Sequence, residues 1–350
     1  MDHSVLLNST IRSPVQVSQL STPPVIIVGL PRSGSSYLTH ILSSMKGLFV
    51  FDDLYPYQHA RSLGISNELN LQKHPNLKQK FVESLTWQLR AKITFEQHFH
   101  ISNITIEDTY DLEKALAQAL NAEVVTWTDI LQEWTKRLAY FYGKKNWGYK
   151  TPQDFLHLEE LSHIFPGVRF ICVLRDPRKM MLSYKNLPKV QTAEAQDGES
   201  RAYHPIFYSL YWKKAFEKVS AFKATHKDSI YMVRFEDLIS SPESVSKEIA
   251  EFLSTTIEGN IAFEKGNSST KSGRYSTLTK LELFLCEKIA GSSMKKAGYS
   301  LSQSNFSVSG FWDFIRTTIQ FFCYQSMRFI TDRRARVSIK NFALSFFSKG

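Results

Sequence analysis

The sequence predicts a three-layer α/β domain around a central parallel sheet, with a helical insertion and a C-terminal helical tail. Three observations carry that expectation. Apolar, β-branched runs recur at 25–28, 168–174 and 230–235. After the first of them, a loop opens into helical spacing of apolar residues at Leu38, Ile41, Leu42 and Met45. Strands that alternate with helices pair in parallel through right-handed crossovers. At 350 residues the chain has room for one large domain with excursions.

Residues 1–23 read as a flexible lead-in, and a strand-loop-helix unit follows at about 24–46. Phe49, Val50 and Phe51 form a short strand-like run that ends in Asp52 and Asp53. From about 54 to 146 the chain is helical and polar-aromatic, with its strongest patches at 77–92, 110–121 and 127–142. We read this as an insertion covering a crevice. Core pattern resumes at 147–152, followed by a helix to about 164 and the strand at 168–174. A loop rich in Gln, Glu, Asp and Gly at about 187–203 reads as a lid. A helix at about 205–225 leads to the strand at 230–235, and Pro242 opens the next helix at a first-turn position. The domain therefore spans about 24–300, and residues 301–350 form a basic amphipathic extension.

The segment Val25-Ile-Ile-Val-Gly-Leu-Pro-Arg-Ser-Gly-Ser-Ser-Tyr-Leu38 carries the first chemistry. A strand, a glycine loop and a helix N-terminus bring free backbone N–H groups and the positive end of a helix dipole to one point, which suits a phosphate-like anion. Gly29 and Gly34 have the separation of a Walker A loop, which makes the fold P-loop-like, but Ser35 stands where that loop carries lysine. The cation is instead Arg32, inside the loop. A second motif begins with Arg175 at the carboxyl end of the strand at 168–174, and Ser183 lies eight residues on in the next helix. Both can point into the crevice at the sheet edge where open α/β sheets bind ligands. An arginine fork with a hydroxyl suits a dianionic phosphate. The plain alternatives are an unliganded βα turn, a local Arg175–Asp176 pair and a surface Ser183.

Taken together, Pro31-Arg32-Ser33-Gly34-Ser35-Ser36 and Arg175 with Ser183 resemble the sulfotransferases that use 3′-phosphoadenosine 5′-phosphosulfate (PAPS). The pattern is similar to the bacterial and Golgi-like type, and nearest to the tyrosylprotein branch. The resemblance runs from about 24 to 299, fair at 147–183 and poor across 54–146. It implies that Arg32, Ser33, Gly34, Ser35 and Ser36 hold the phosphosulfate and that Arg175 and Ser183 hold the 3′-phosphate. Lys150, in Tyr-Lys-Thr-Pro, matches a lysine that faces the sulfonate in that branch. The segment from Lys271 to Arg274 loosely resembles a basic-glycine element on the 3′-phosphate, and Ala297-Gly-Tyr299 a common family ending. Where many members have Tyr-Glu, this chain has Phe235-Glu236, so a hydroxyl contact is lost. PAP is the implied product.

Sulfuryl transfer needs a base for the acceptor hydroxyl and cations on the leaving phosphate; positioning and electrostatics carry the rate, and no metal is required. The tyrosylprotein branch places two adjacent glutamates at positions matching Asp52 and Asp53, the second acting as base. Adjacent like charges in a partly buried crevice favour retention of a proton on one of them, which suits a base near neutrality. Asp53 is the candidate base, with Asp52 and His59 as alternatives and helix capping as the plain reading. The acceptor is a hydroxyl on a carbohydrate, a lipid or a small metabolite. The alternatives are a P-loop nucleotide kinase and a catalytically degenerate nucleotide-binding or membrane adaptor protein.

Composition bounds the remainder. Cys172, Cys286 and Cys323 lack CxxC or zinc spacing, which reads as reduced thiols in a cytoplasmic protein. We expect no signal peptide, no spanning helix and no use of the sequons at Asn8, Asn103, Asn267 and Asn305. The net charge of +10 comes without a nucleic-acid motif. Part of it lies in residues 311–350, where seven Arg and Lys against two Asp give +5. Phe311, Trp312, Phe314, Ile315, Ile319, Phe322 and Phe329 accompany those arginines. Such a helix either lies on an anionic membrane surface or packs on the domain with its arginines solvated.

Overall fold

A computed structural model describes residues 22–94, 104–186, 203–258, 277–302, 306–307 and 310–331. Lys271, Arg274, the four sequons, most of the lid segment, the lead-in at 1–21 and the final residues 332–350 lie outside the described residues.

Strand β1 (Val25–Gly29) is buried along its whole length, as its unbroken apolar run requires of a strand covered on both faces. It leads through a tight loop into α1 (Ser35–Ser43) and then β2 (Leu48–Phe51). The connection from β2 to β3 (Asn146–Lys150) holds α2 (Pro56–Ser62), α3 (Pro75–Thr94), α4 (Ile106–Ala119) and α5 (Trp127–Phe141). Thr105 with Asp108 and Thr126 with Asp129 form capping boxes that start α4 and α5. A 3₁₀ turn at Pro152–His157 runs into α6 (Leu158–Ile164), β4 (Arg169–Leu174) and α7 (Pro177–Lys185). Then come α8 (Pro205–Thr225), β5 (Ile230–Arg234), α9 (Phe235–Ser240), α10 (Pro242–Phe252), α11 (Lys280–Lys296) and α12 (Phe311–Thr331).

The five strands form one parallel sheet in the order β2-β3-β1-β4-β5. Its two faces bury separate apolar sets, as strand alternation dictates. Ile26, Val28, Phe51, Trp147, Tyr149 and Phe170 pack beneath α5 and α8. Val25, Ile27, Val50, Ile171 and Val173 pack against Leu38, Ile41 and Leu42 of α1 and Val245 and Ile249 of α10. Trp134 of α5 meets Phe51 edge-on, with ring centroids 5.1 Å apart. The expected three layers are therefore present, and the polar-aromatic stretch after residue 54 is the β2-to-β3 connection.

The tail packs on the domain in part. Helix α12 touches the domain along one edge: Thr318 Oγ1 lies 3.1 Å from His204 Nε2, and the Phe321 ring lies 5.3 Å from Phe207. Its other side leaves Trp312 79 % exposed and Ile330 74 % exposed, with Phe322 and Phe329 beside them. No helix among the described residues is long and apolar enough to cross a membrane. Cys172 and Cys286 are buried free thiols and Cys323 is an exposed one.

Gly148 shows how closely the central strands approach. It pairs with Val25, and a Cβ there would lie 2.3 Å from the Val25 carbonyl oxygen. Gly148→Ala should lower stability by about 1–3 kcal/mol, as overpacking does. Denaturant unfolding checks this, and an unchanged midpoint would contradict the β1–β3 register.

Candidate active site

The loop after β1 turns sharply enough to place Arg32 at φ 68° and Gly34 at φ 92°. Gly34 precedes α1 with no side-chain hydrogen bond capping the helix start. Glycine is required at 34 for a second reason. A Cβ there would lie 2.1 Å from the Phe235 ring, which closes over the loop. The same ring supports the Arg175 guanidinium, whose carbon sits 4.9 Å from the ring centroid. Phe235 thus packs against both the loop and Arg175.

Arg175 follows β4, and its carbonyl is fixed by the Trp212 indole N–H at 2.8 Å. Its Nη1 donates to the Arg32 carbonyl at 3.0 Å, while Arg32 Nε donates to Ser183 Oγ at 3.2 Å. The two motifs therefore meet directly. Ser183 is buried, and Asp176 pairs with Arg178 at 2.7 Å, so neither plain reading of this motif holds. The Asp176 N–H donates to Glu236, whose other oxygen accepts from the Tyr299 hydroxyl at 3.1 Å. Ser33 Oγ and Arg175 Nε are buried with no hydrogen-bond partner among the described residues. Buried donors beside a helix N-terminus have the chemistry to hold a phosphate-like anion.

Lys150 ends β3 and is almost wholly buried. Its ammonium lies 2.8 Å from Asp52 Oδ1 and 2.6 Å from Asp53 Oδ1, and it donates to Ser36 Oγ at 3.0 Å. Thr39 Oγ1 lies 3.2 Å from Asp52 Oδ1, within hydrogen-bond reach. Asp52 is therefore enclosed, whereas the Asp53 side chain is 39 % exposed. Tyr55 precedes α2 at the N-cap with no side-chain cap, so the two acids do not cap the helix. His59 is placed against α3, with Nε2 3.2 Å from Gln88 Nε2.

Sequence reasoning missed three groups here. The Tyr55 hydroxyl donates to Asp53 Oδ1 at 3.3 Å; burial and the Asp53 carboxylate push its pKa up, so it stays a donor. Lys92 of α3 sits 4.0 Å from Asp53 Oδ2 with its side chain 9 % exposed. Burial pushes its ammonium pKa down, opposed by Asp53 and Asp52. Asp154, fully buried after Lys150, accepts from Gln58 at 3.4 Å through one oxygen, while the other has no partner among the described residues. Tyr55 had a signal, its position two residues after Asp53; Lys92 and Asp154 had none beyond their charge. Among the described residues no group of three or more His, Cys, Asp or Glu is placed to hold a metal ion.

A family model described as "Sulfotransferase family" matches residues 23–259. No curated protein matches the chain. Solved structures similar to it include the sulfotransferase domain from the curacin biosynthetic pathway, at 16% identity over 80% of this chain and 99% of that one, with a TM-score of 0.48. The sulfotransferase domain from the Synechococcus PCC 7002 olefin synthase aligns at 19% identity over 77% and 94%, with a TM-score of 0.45. Sulfotransferase STF9 from Mycobacterium avium aligns at 16% over 85% and 82%, with a TM-score of 0.43.

Asp154 gives the site a pH signature. Burial pushes its carboxyl pKa up to about 7, with hydrogen bonds from Gln58 and Thr151 opposing. The folded state then keeps a proton that the unfolded chain releases near ~3.9, so stability falls as pH rises through that window and levels off above about 7. Asp154→Asn should remove this component. Between pH 5 and 7 wild type should lose on the order of 2 kcal/mol relative to the variant. Urea unfolding across that range checks it; parallel pH profiles would contradict it.

Proposed function

We propose, from the premise that this chain belongs to the sulfotransferase family, that it moves a sulfuryl group from PAPS to a hydroxyl of a carbohydrate, lipid or small metabolite and releases PAP. The observation that carries the donor assignment is the pair of buried, unpartnered donors Ser33 Oγ and Arg175 Nε beside the uncapped start of α1. When bound, PAPS supplies a sulfuryl group on a phosphate that departs with the electron pair of the broken sulfur–oxygen bond. Arg32, Gly34 and the backbone and hydroxyls of Ser33, Ser35 and Ser36 would hold the phosphosulfate. Arg175 and Ser183 would hold the 3′-phosphate, joined by Lys271 and Arg274. Lys150 compensates negative charge from below the loop, already oriented by Ser36. Asp53, the accessible acid, takes the proton that the acceptor hydroxyl releases as its oxygen bonds to sulfur. A kinase would want a lysine where Ser35 stands.

The acceptor side and the tail complete the reading. Helices α2 and α3 lie beside Asp53 and would help select the acceptor. Helix α12 presents Trp312, Ile319, Phe322 and Ile330 outward, and residues 311–350 carry +5, which fits a cytoplasmic enzyme resting on an anionic membrane.

Thermal shift with PAP, PAPS and ATP tests the donor site. PAP at a hundredfold excess over its Kd should add about 2.7 kcal/mol to wild type. Arg175→Ala should lose most of that gain, and ATP should give little. Indifference to PAP, or an equal response to ATP, would sink the proposal. Asp53→Asn should keep the PAP response while labelled transfer to a panel of hydroxyl acceptors falls by about 10²–10⁴. Unchanged transfer would move the base to Asp52 or His59. Binding of PAP with no acceptor labelled by wild type would favour an adaptor.

For the tail, the full chain should sediment with phosphatidylserine-containing vesicles at low salt and not with phosphatidylcholine alone. Trp312→Ala with Phe322→Ala should weaken this at least tenfold, near 1.4 kcal/mol. A chain left in the supernatant with anionic vesicles refutes the membrane reading.

A further inference from the structure

We propose that Lys92, contributed by the helical connection rather than by the sheet, is a positioning residue for the base, and that Asp53 Oδ2 is the atom that receives the acceptor proton. The inference rests on the reading of Asp53 as base and names the atom and the control.

The two oxygens of Asp53 have different surroundings. Oδ1 lies 2.6 Å from the Lys150 ammonium and accepts from the Tyr55 hydroxyl at 3.3 Å. Oδ2 faces the Lys92 ammonium across 4.0 Å, beyond hydrogen-bond reach. One oxygen is thus held, and the other is oriented by charge without being covered. A base needs that arrangement: a fixed carboxylate with one lone pair open to an incoming proton.

Lys92 reaches this point because of its helix. It lies in the last turn of α3, where a cation is favoured by the helix dipole. Gln88, one turn earlier on the same face, lies 3.2 Å from His59 of α2, so the face of α3 is fixed against the segment that follows β2. The Lys92 ammonium also lies 5.9 Å from the Phe51 ring centroid, at the end of β2. Displacement of α3 would therefore move the charge that faces Oδ2. Burial pushes the Lys92 proton off, as does the Lys150 charge, while Asp53 and Asp52 hold it on. This couples the connection that borders the acceptor to the orientation and basicity of the base.

The test reads the carboxylate directly in ligand-free full-length protein. Aspartate carboxyl carbons are labelled with ¹³C, and the Asp53 signal is identified by its loss in Asp53→Asn. Wild type should show an acid midpoint and a second, alkaline inflection as Lys92 loses its proton. In Lys92→Met the acid midpoint should rise by about one pH unit, the low end for removing an opposite charge at this range with Lys150 still present. Lys92→Arg should keep the wild-type midpoint and lose the alkaline inflection. An unshifted midpoint in Lys92→Met overturns the proposal. If that variant fails to fold, as judged by loss of a cooperative urea transition, Lys92→Gln is titrated in its place, and an unshifted midpoint there overturns the proposal. With an acceptor in hand, Lys92→Met should lower kcat with little change in the KM for PAPS, and Lys92→Arg should restore it. Full transfer by Asp53→Asn would sink the base assignment while leaving the titration result intact, so the two failures are distinguishable.

Discussion

Lys150 is a buried ammonium, and a charge in that position is tolerated only when paired and hydrogen-bonded. Its three partners come from different places in the chain: Ser36 in the first turn of α1, and Asp52 and Asp53 just beyond β2. The strand order makes this possible. With β3 between β1 and β2, its last residue ends beside both the loop after β1 and the acids after β2. Thr39 of α1 closes the remaining gap by approaching Asp52. Removing one partner of a buried pair costs about 3–5 kcal/mol. The same contact therefore holds the start of α1 against the candidate base.

Among the described residues no carboxylate pairs with Arg175 at ion-pair distance, although the charges of Glu236 and Asp176 act on it. Arg175 and Arg178 lie three residues apart and differ in their partners. Arg178 has Asp176 at 2.7 Å and Glu287 at 2.8 Å, so its charge is spent within the fold. Arg175 is held by a backbone carbonyl and by the Phe235 ring. A carbonyl and an aromatic face orient a guanidinium without a direct ion pair. The absence of a side chain at Gly34 lets Phe235 reach this position, so the glycine serves the arginine as well as the loop.

What could be read in the sequence was local. The glycine loop, the strand that precedes it and the Arg175–Ser183 spacing lie within short windows where periodicity and glycine placement carry the information. Helices at 127–141 and 205–225 were equally plain from apolar spacing. Contacts across long separations were not legible. Nothing near Lys92 marks it as the residue facing Asp53, because its role exists only once α3 lies beside the end of β2. Asp154 reads as an ordinary acid after a proline, and burial alone changes its character. The tail shows a different limit: a stripe wide enough for two faces gives no sign of which edge the domain will cover, and the structure buries Phe321 while leaving Trp312 outside.

The backbone supplies the last link. Successive side chains on a strand point to opposite faces, so Asp52 and Asp53 on a regular continuation of β2 would diverge. Asp53 instead adopts φ 54°, in the left-handed region that aspartate enters more readily than most residues. This turn brings both carboxylates onto one ammonium. Arg32, at φ 68°, is turned in the same way, and there the result is a side chain directed to Ser183 and a carbonyl offered to Arg175. The third such residue, Ser254, lies in the turn that ends α10 and has no part in the site. Strain of this kind costs on the order of 1–3 kcal/mol per residue and persists where surrounding contacts determine it. Here those contacts are Lys150 for Asp53 and Arg175 for Arg32, so each strained residue is held by a cation from a neighbouring strand end. The convergence of charge at the site is thus a consequence of two backbone reversals, which two buried cations make tolerable.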